Sequence, residues 1–295
     1  MGPRTELDAT RLLPLTPEPP AWMAELLPSS STTHLTGGSL ETIESNSLVR
    51  VIVRLPQARE LEASALAAGV KDAYIAIDTF LWKADRYPIR LWNFVPGIGE
   101  RMGELDRYMV FNQGRYEALI RSRRLAGAAW SLPTSSALGI EQEDLVIECL
   151  ASVAPGIPVE NPRQISSWQY STRFGPKPPC FARATIATIG TERWLLIGGT
   201  ASIVGEDSLH STQVEAQLAE TLANLTAVID EACGAGSDSL GRLSDLRVYI
   251  TRPEDATALG PAVRSCVPRT ARLEIALATI CRPELLIEIE GRVRL

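Results

Sequence analysis

Histidine is nearly missing from this chain: His34 and His210 are its only two. A catalytic triad or a histidine-rich metal centre therefore has almost nothing to be built from. The five cysteines, at 149, 180, 233, 266 and 281, are odd in number and show no CxxC spacing, so neither a disulfide framework nor a zinc site is suggested. No run approaches the roughly 18 apolar residues that a bilayer-spanning helix needs, and Met1-Gly2-Pro3-Arg4-Thr5-Glu6 does not open a signal peptide. A cytoplasmic location is expected. Nor is there a basic excess: 29 Lys and Arg against 35 Asp and Glu give a net charge of −6, which argues against a nucleic-acid binder. What remains for proton transfer is a carboxylate, a thiol or a tyrosine.

At 295 residues and 45% hydrophobic content, the chain can bury one large core or two ordinary ones. Residues 1–45, rich in Pro, Ser and Thr, read as an extended arm that packs only locally. Ser47 to Arg54 reads as a strand, Ala58 to Ala68 as a helix ending at Gly69, and Asp72 to Leu81 as a second β-rich run. Arg90 to Ile98, ended by Pro96-Gly97, reads as an aromatic connecting loop, with a helix from about Gly99 to Arg124 after it. Glu143 to Val153 is a further strand. The segment Pro162 to Pro179 mixes cationic and aromatic residues with a glycine and several prolines, the composition of a shaped loop where sites form.

The second half is more regular. Cys180 to Ile186 and Trp194 to Gly205 read as neighbouring strands, Ser211 to Ala232 as an amphipathic helix capped by Ser211 or Ser208, and Asp245 to Thr251 as a strand. Pro253 opens a second helix, and strands near Arg272–Ile280 and Glu284–Val293 close the chain. The order β-β-α-β-α-β-β implies an α+β domain with helices on one face of a mixed sheet, and the first half reads as a shortened copy.

Four residues in these runs invite chemistry. Arg183 interrupts an apolar strand and must face water, an internal acid or a ligand carboxylate, because an unpaired buried charge costs several kcal/mol. Glu288 and Glu290 share one face of Leu285 to Glu290; the pattern alone reads as a solvated strand face, but a glutamate held among apolar residues would keep its proton near neutral pH. Cys281 reads from the pattern as a small core residue.

The combination Asn161-Pro162-Arg163-Gln164, Phe174-Gly175-Pro176, Cys180-Phe181-Ala182-Arg183-Ala184, Gly199-Thr200-Ala201-Ser202-Ile203-Val204-Gly205 and Cys281-Arg282-Pro283-Glu284-Leu285-Leu286-Ile287-Glu288-Ile289-Glu290 resembles the chorismatase family. Trp92-Asn93, Arg107-Tyr108 and Gly114-Arg115 extend the likeness to about residues 45–295. The resemblance implies a RidA (YjgF)-like fold, chorismate-mutase-like in its mixed sheet, with a degenerate N-terminal copy over 46–140 and a complete catalytic copy over 141–295. It also implies cofactor-free and metal-free release of pyruvate from chorismate by a monomer or trimer. Family members differ in product: a dihydroxycyclohexadiene carboxylate by hydrolysis, 3-hydroxybenzoate, or a mixture of 3- and 4-hydroxybenzoate.

Chorismate is a dianion, so two cationic clamps are expected. Arg183 is the first candidate, and Arg272 or Arg269 occupies the place of the RidA-like carboxylate-binding arginine. Tyr170 and Arg173 would join from the proline-rich loop, with Gly199, Thr200 and Ala201 lining the strand. The resemblance assigns the general acid to Glu288. It also gives Cys281 a steering role: a cysteine there, with glycine before Thr200-Ala201-Ser202, is similar to the 3-hydroxybenzoate-forming type, whereas the hydrolytic type carries alanine at both places. Readings from another class, a RidA-like imine deaminase or a small-ligand binder, would release no pyruvate from chorismate.

Overall fold

The computed structural model describes residues 12–27, 31–34, 40–124, 131–236 and 238–295. In the first half the elements are β1 (Leu12–Pro14), α1 (Trp22–Leu26), β2 (Ser31–His34), β3 (Leu40–Glu44), β4 (Leu48–Leu55), α2 (Ala63–Ala84), β5 (Tyr87–Pro96), β6 (Arg101–Met102), β7 (Leu105–Asp106), α3 (Arg107–Leu119), β8 (Thr134–Ile140) and β9 (Leu145–Ser152). The second half holds β10 (Ile157–Val159), β11 (Ala184–Ile189), β12 (Glu192–Ala201), β13 (Ile203–Val204), β14 (Asp207–Ser208), α4 (Val214–Cys233), β15 (Leu243–Ile250), α5 (Ala256–Cys266), β16 (Arg272–Leu277), β17 (Thr279–Ile280) and β18 (Ile287–Arg294).

Both halves use one topology. In the second sheet the order is β16-β15-β18-β12-β11, and in the first it is β8-β5-β9-β4-β3, so each strand has a counterpart at the same place in the other sheet. Within each set one pair is parallel, β15 with β16 and β5 with β8, and the other pairs are antiparallel. The α+β unit expected of the second half thus occurs twice. The first copy is not shortened in topology, and the expected boundary at 140 cuts it, because its central strand β9 follows that residue.

The layers follow from burial. Leu66, Val70, Ile77 and Leu81 of α2 and Val110 and Phe111 of α3 cover one face of the first sheet; Leu218, Leu225 and Ile229 of α4 and Leu259 and Val263 of α5 cover one face of the second. The other two faces meet each other through Leu48, Ile52, Trp92, Phe94 and Leu150 on one side and Ala187, Ile189, Trp194 and Leu196 on the other. The result is helix–sheet–sheet–helix.

Several expectations change. Ala63–Ala84 is one helix, not a helix and a strand: Leu66, Val70, Tyr74, Ile77 and Leu81 recur at helical spacing, and Gly69 is interior because a Cβ there would lie 2.7 Å from Leu55 Cδ2. The helix stops instead at Asp85, which is left-handed at φ 50°. Arg90–Pro96 is strand, not loop; burial on both faces erases the period-two signal. The helix expected from Gly99 begins at Arg107, where the Asp106 side chain accepts from Met109 N at 2.7 Å. The amphipathic helix expected from Ser211 starts at Val214 with Gln213, not Ser211 or Ser208, at its cap position, since Ser208 is occupied in β14, and Pro253 opens a 3₁₀ turn ahead of α5.

The arm packs at long range rather than locally. β1 runs parallel to β16, and Trp22 and Met23 plug the core between the sheets. Residues 1–11, 28–30 and 35–39 of the arm lie outside the described residues.

Candidate active site

Between the two halves lies a cavity of about 220 Å³. The first half supplies Asp106, Tyr108, Met109 and Arg115 from β7 and α3 and Ser135 and Ser136 from β8; the second supplies β12, β18 and the loops around Tyr170, Arg183 and Cys281. β17 completes it by pairing with β8 across the halves, Ile280 opposite Leu138, and so delivers Cys281 to the cavity wall.

Glu288 forms the floor. On β18 it is paired with Ala201 of β12 and Tyr249 of β15 and is 6% exposed. Its carboxyl lies where Gly199 has no side chain: a Cβ at Gly199 would stand 1.8 Å from Glu288 Oε1. Gly198 and Gly199 form a bulge in the β12–β18 ladder, where the register slips between Ile197 and Thr200. No described residue hydrogen-bonds to this carboxyl. Burial first, and the neighbouring Glu290 charge second, push its pKa up to about 8 against the pull of Arg90, so Glu288 holds a proton at neutral pH.

Three arginines line the same cavity with no carboxylate within 4.0 Å among the described residues. Arg183 donates to Tyr170 Oη at 2.7 Å and to the Ile165 carbonyl at 3.0 Å, lies over Phe181, and leaves its buried Nε without a partner. Arg115 donates to Asn112 Oδ1 at 2.8 Å and likewise has a partnerless buried Nε. Arg282 lies 4.0 Å over the Phe174 ring and donates to the Glu206 carbonyl at 2.8 Å and Ser208 Oγ at 3.1 Å. Dipoles and ring faces hold these cations without neutralising them, which leaves a cavity suited to an anion with more than one charge.

Cys281 is half-buried at the wall. Burial first, then the Glu288 charge, pushes its thiol up to about 12, so it is present as a neutral S–H. Burial likewise raises the Tyr108 phenol. Thr200 turns its hydroxyl to the Gly198 carbonyl at 3.0 Å, and Ala201 is buried beside it. Arg173 is a rim residue, paired with Asp207 and, at 3.3 Å, with Glu206. Among the described residues no group of three or more His, Cys, Asp or Glu side chains could hold a metal ion.

The structure thus brings Glu288, Cys281, Arg183, Tyr170, Arg173, Gly199, Thr200 and Ala201 together. It does not bring Arg272 or Arg269. Arg272 opens β16 opposite Asp245, pairing with Asp245 at 3.8 Å and with Glu25 of the arm. Glu288 is registered on Tyr249, four residues and about 13 Å further along β15. Arg269 is exposed in the turn before β16. Arg115 and Arg282 line the cavity in their place. In the sequence Arg115 and Arg282 stand within the motifs Gly114-Arg115 and Cys281-Arg282 with no role attached to either arginine, and the catalytic copy is expected within 141–295 alone.

A chorismatase of Streptomyces rapamycinicus is 32% identical over 253 residues, covering 80% of this chain and 73% of that protein. The chain belongs to the chorismatase family. The family profile described as "Chorismatase FkbO/Hyg5-like, N-terminal" matches residues 25–151, a span that begins at the end of α1 and ends within β9. A 3-hydroxybenzoate synthase of Streptomyces hygroscopicus is 31% identical over 216 residues, or 69% of this chain; the chain spans 62% of that protein's length. A chorismatase crystal structure at 1.08 Å matches with a TM-score of 0.78 and 25% identity over 89% of this chain and 78% of the other. That chorismatase match extends over both halves, between which the cavity lies.

Proposed function

We propose that this protein cleaves chorismate to 3-hydroxybenzoate and pyruvate, with Glu288 as the general acid and Cys281 steering the ring intermediate. The observation that carries the reading is a protonated carboxyl, Glu288, in a cavity walled by the unneutralised Arg115, Arg183 and Arg282. A dianion with an acid-labile enol ether answers both features: its carboxylates meet the guanidinium groups, and its methylene carbon takes the proton.

The steps balance without water. Glu288 protonates the enolpyruvyl methylene, the ring C3–O bond breaks, and pyruvate leaves. The C4 hydroxyl oxygen closes onto C3 as its proton passes to the Glu288 carboxylate, giving an arene oxide. Opening of that epoxide at C4, with transfer of the ring hydrogen to the medium and of one proton to the oxygen on C3, yields 3-hydroxybenzoate. Cys281, a neutral thiol on the wall, acts at this second stage. Gly199 and Cys281 together support this product over the diene acid formed by hydrolysis.

Incubation with chorismate, with pyruvate measured by a coupled assay and the ring product by chromatography, tests the reading. Pyruvate and 3-hydroxybenzoate in equal amounts are expected. Absence of pyruvate overturns the activity, and a diene acid as the sole ring product overturns the subtype.

A further inference from the structure

Two residues beyond Glu288 on β18, Glu290 is 2% exposed and surrounded by donors. Its carboxylate accepts from Arg90 Nη2 at 2.5 Å, Trp92 Nε1 at 3.1 Å, Ser136 Oγ at 2.9 Å and Tyr249 Oη at 2.7 Å. These donors come from β5, β8 and β15, so both sheets converge on one side chain. Glu288, on the same strand, receives no hydrogen bond from any described residue. One carboxyl of the pair is thereby surrounded by donors, and the other, raised by burial, has none.

Arg90 is the cation that could undo this division. It is 1% exposed, and its guanidinium is engaged by the Leu91 carbonyl at 2.7 Å, by Ser136 Oγ and by Glu290. We propose that Glu290 is a positioning residue for the acid: by taking up the Arg90 charge it keeps that cation from pairing with Glu288, and so preserves Glu288 as the proton donor. Ser136 extends the same control to geometry, because its hydroxyl donates to Glu290 and accepts from Gly199 N at 2.9 Å, holding the bulge that makes room for the Glu288 carboxyl.

The groups facing Glu288 from other elements are Arg90 of β5, Tyr249 of β15, Tyr108 and Arg115 of α3, Arg183 ahead of β11, and Cys281 and Arg282 after β17. The two phenols and the thiol are raised and neutral. Asp106 of β7 and Glu284 also line the cavity, but the charges that shift Glu288 are those of Glu290, which raises it, and Arg90, which opposes the rise. Without the Glu290 charge, the Arg90 pull on Glu288 is left unopposed by it.

The proposal rests on Glu288 being the acid, and its test separates the two. Residue-assigned 13C carboxyl titration of the wild-type protein should show Glu288 protonated and Glu290 ionised at pH 7; the reverse overturns the proposal. In Glu290→Gln the Glu288 midpoint should fall by about one pH unit or more, and in Tyr249→Phe it should fall by less. Turnover of Glu290→Gln at pH 8 should drop about fivefold or more and recover on acidification. An unmoved midpoint, or a loss of turnover equal at every pH in the folded variant, overturns it. Should Glu290→Gln not fold, the wild-type titration and Tyr249→Phe decide. Full turnover by Glu288→Gln would refute the acid reading instead, and the carboxyl midpoints are read without any turnover.

Discussion

At the floor of the cavity the chemistry is carried by single atoms, so single substitutions separate the roles. Glu288→Gln keeps size and hydrogen bonding but cannot deliver a proton; pyruvate release should fall roughly 10²–10⁴-fold with chorismate affinity retained, as single-turnover and binding measurements would show. The raised Glu288 pKa also links folding to pH. Its folded value of about 8 exceeds the ordinary 4.5, so the folded protein keeps a proton that the unfolded chain releases. This contribution to stability is present below about pH 4.5 and is lost as the pH rises through about 8. Denaturant melts of wild type and Glu288→Gln between pH 6 and 9 should diverge accordingly, with the wild type losing the more stability toward pH 9. Cys281→Ala asks a different question. If the thiol steers the epoxide, the variant still releases pyruvate but shifts from 3-hydroxybenzoate toward the diene acid. Unchanged product, with a stability loss of about 1 kcal/mol, would return Cys281 to a packing role.

At the scale of elements, the bulge in β12 is the piece on which the site turns. Gly199 has ordinary backbone access, and its side-chain space is filled by Glu288 Oε1, so Gly199→Ala must displace the carboxyl by rotation about its own flexible stem. The variant should fold with little loss of melting temperature, lower kcat more than it raises KM, and change the ring product; unchanged kinetics and product would show that the carboxyl's placement is not critical. Helix α2 shows why the element pattern was partly illegible. Its one glycine reads as a terminator in sequence, yet it marks the close approach of Leu55. β5 hid for the opposite reason: a strand covered by a sheet on one side and helices on the other has no polar face to reveal its period.

Across the whole molecule, two like-ordered sheets lie face to face and the site sits where the halves meet. Their shared core depends on a residue from the arm: Trp22 is 4% exposed, lies 6.0 Å from the Trp92 ring, and carries the Arg292 guanidinium 4.8 Å above it. Trp22→Ala should cost about 3–5 kcal/mol by leaving a large cavity between the sheets. Because Trp92 also donates to Glu290, turnover should weaken along with the melting temperature. A melt unchanged from wild type would mean that the arm is dispensable.

Residue types and motif order sufficed for the α+β class, the second-half elements and most of the cavity's second-half wall, because amphipathic α4 and the C-terminal strands carry their periods openly and Arg183, Cys281 and Glu288 stand out against apolar neighbours. Position was beyond their reach. The sequence favours Arg272 as a clamp and gives Arg115 no role; the parallel register of β15 and β16 carries the first to Asp245 and Glu25, while α3 turns the second into the cavity. Likewise Glu288 and Glu290 are equivalent in a period-two pattern. Only the convergence of Arg90, Trp92, Ser136 and Tyr249 from three distant strands gives Glu290 its donors and leaves Glu288 without any among the described residues, since the environment of a buried carboxyl depends on which donors the fold brings within hydrogen-bond reach.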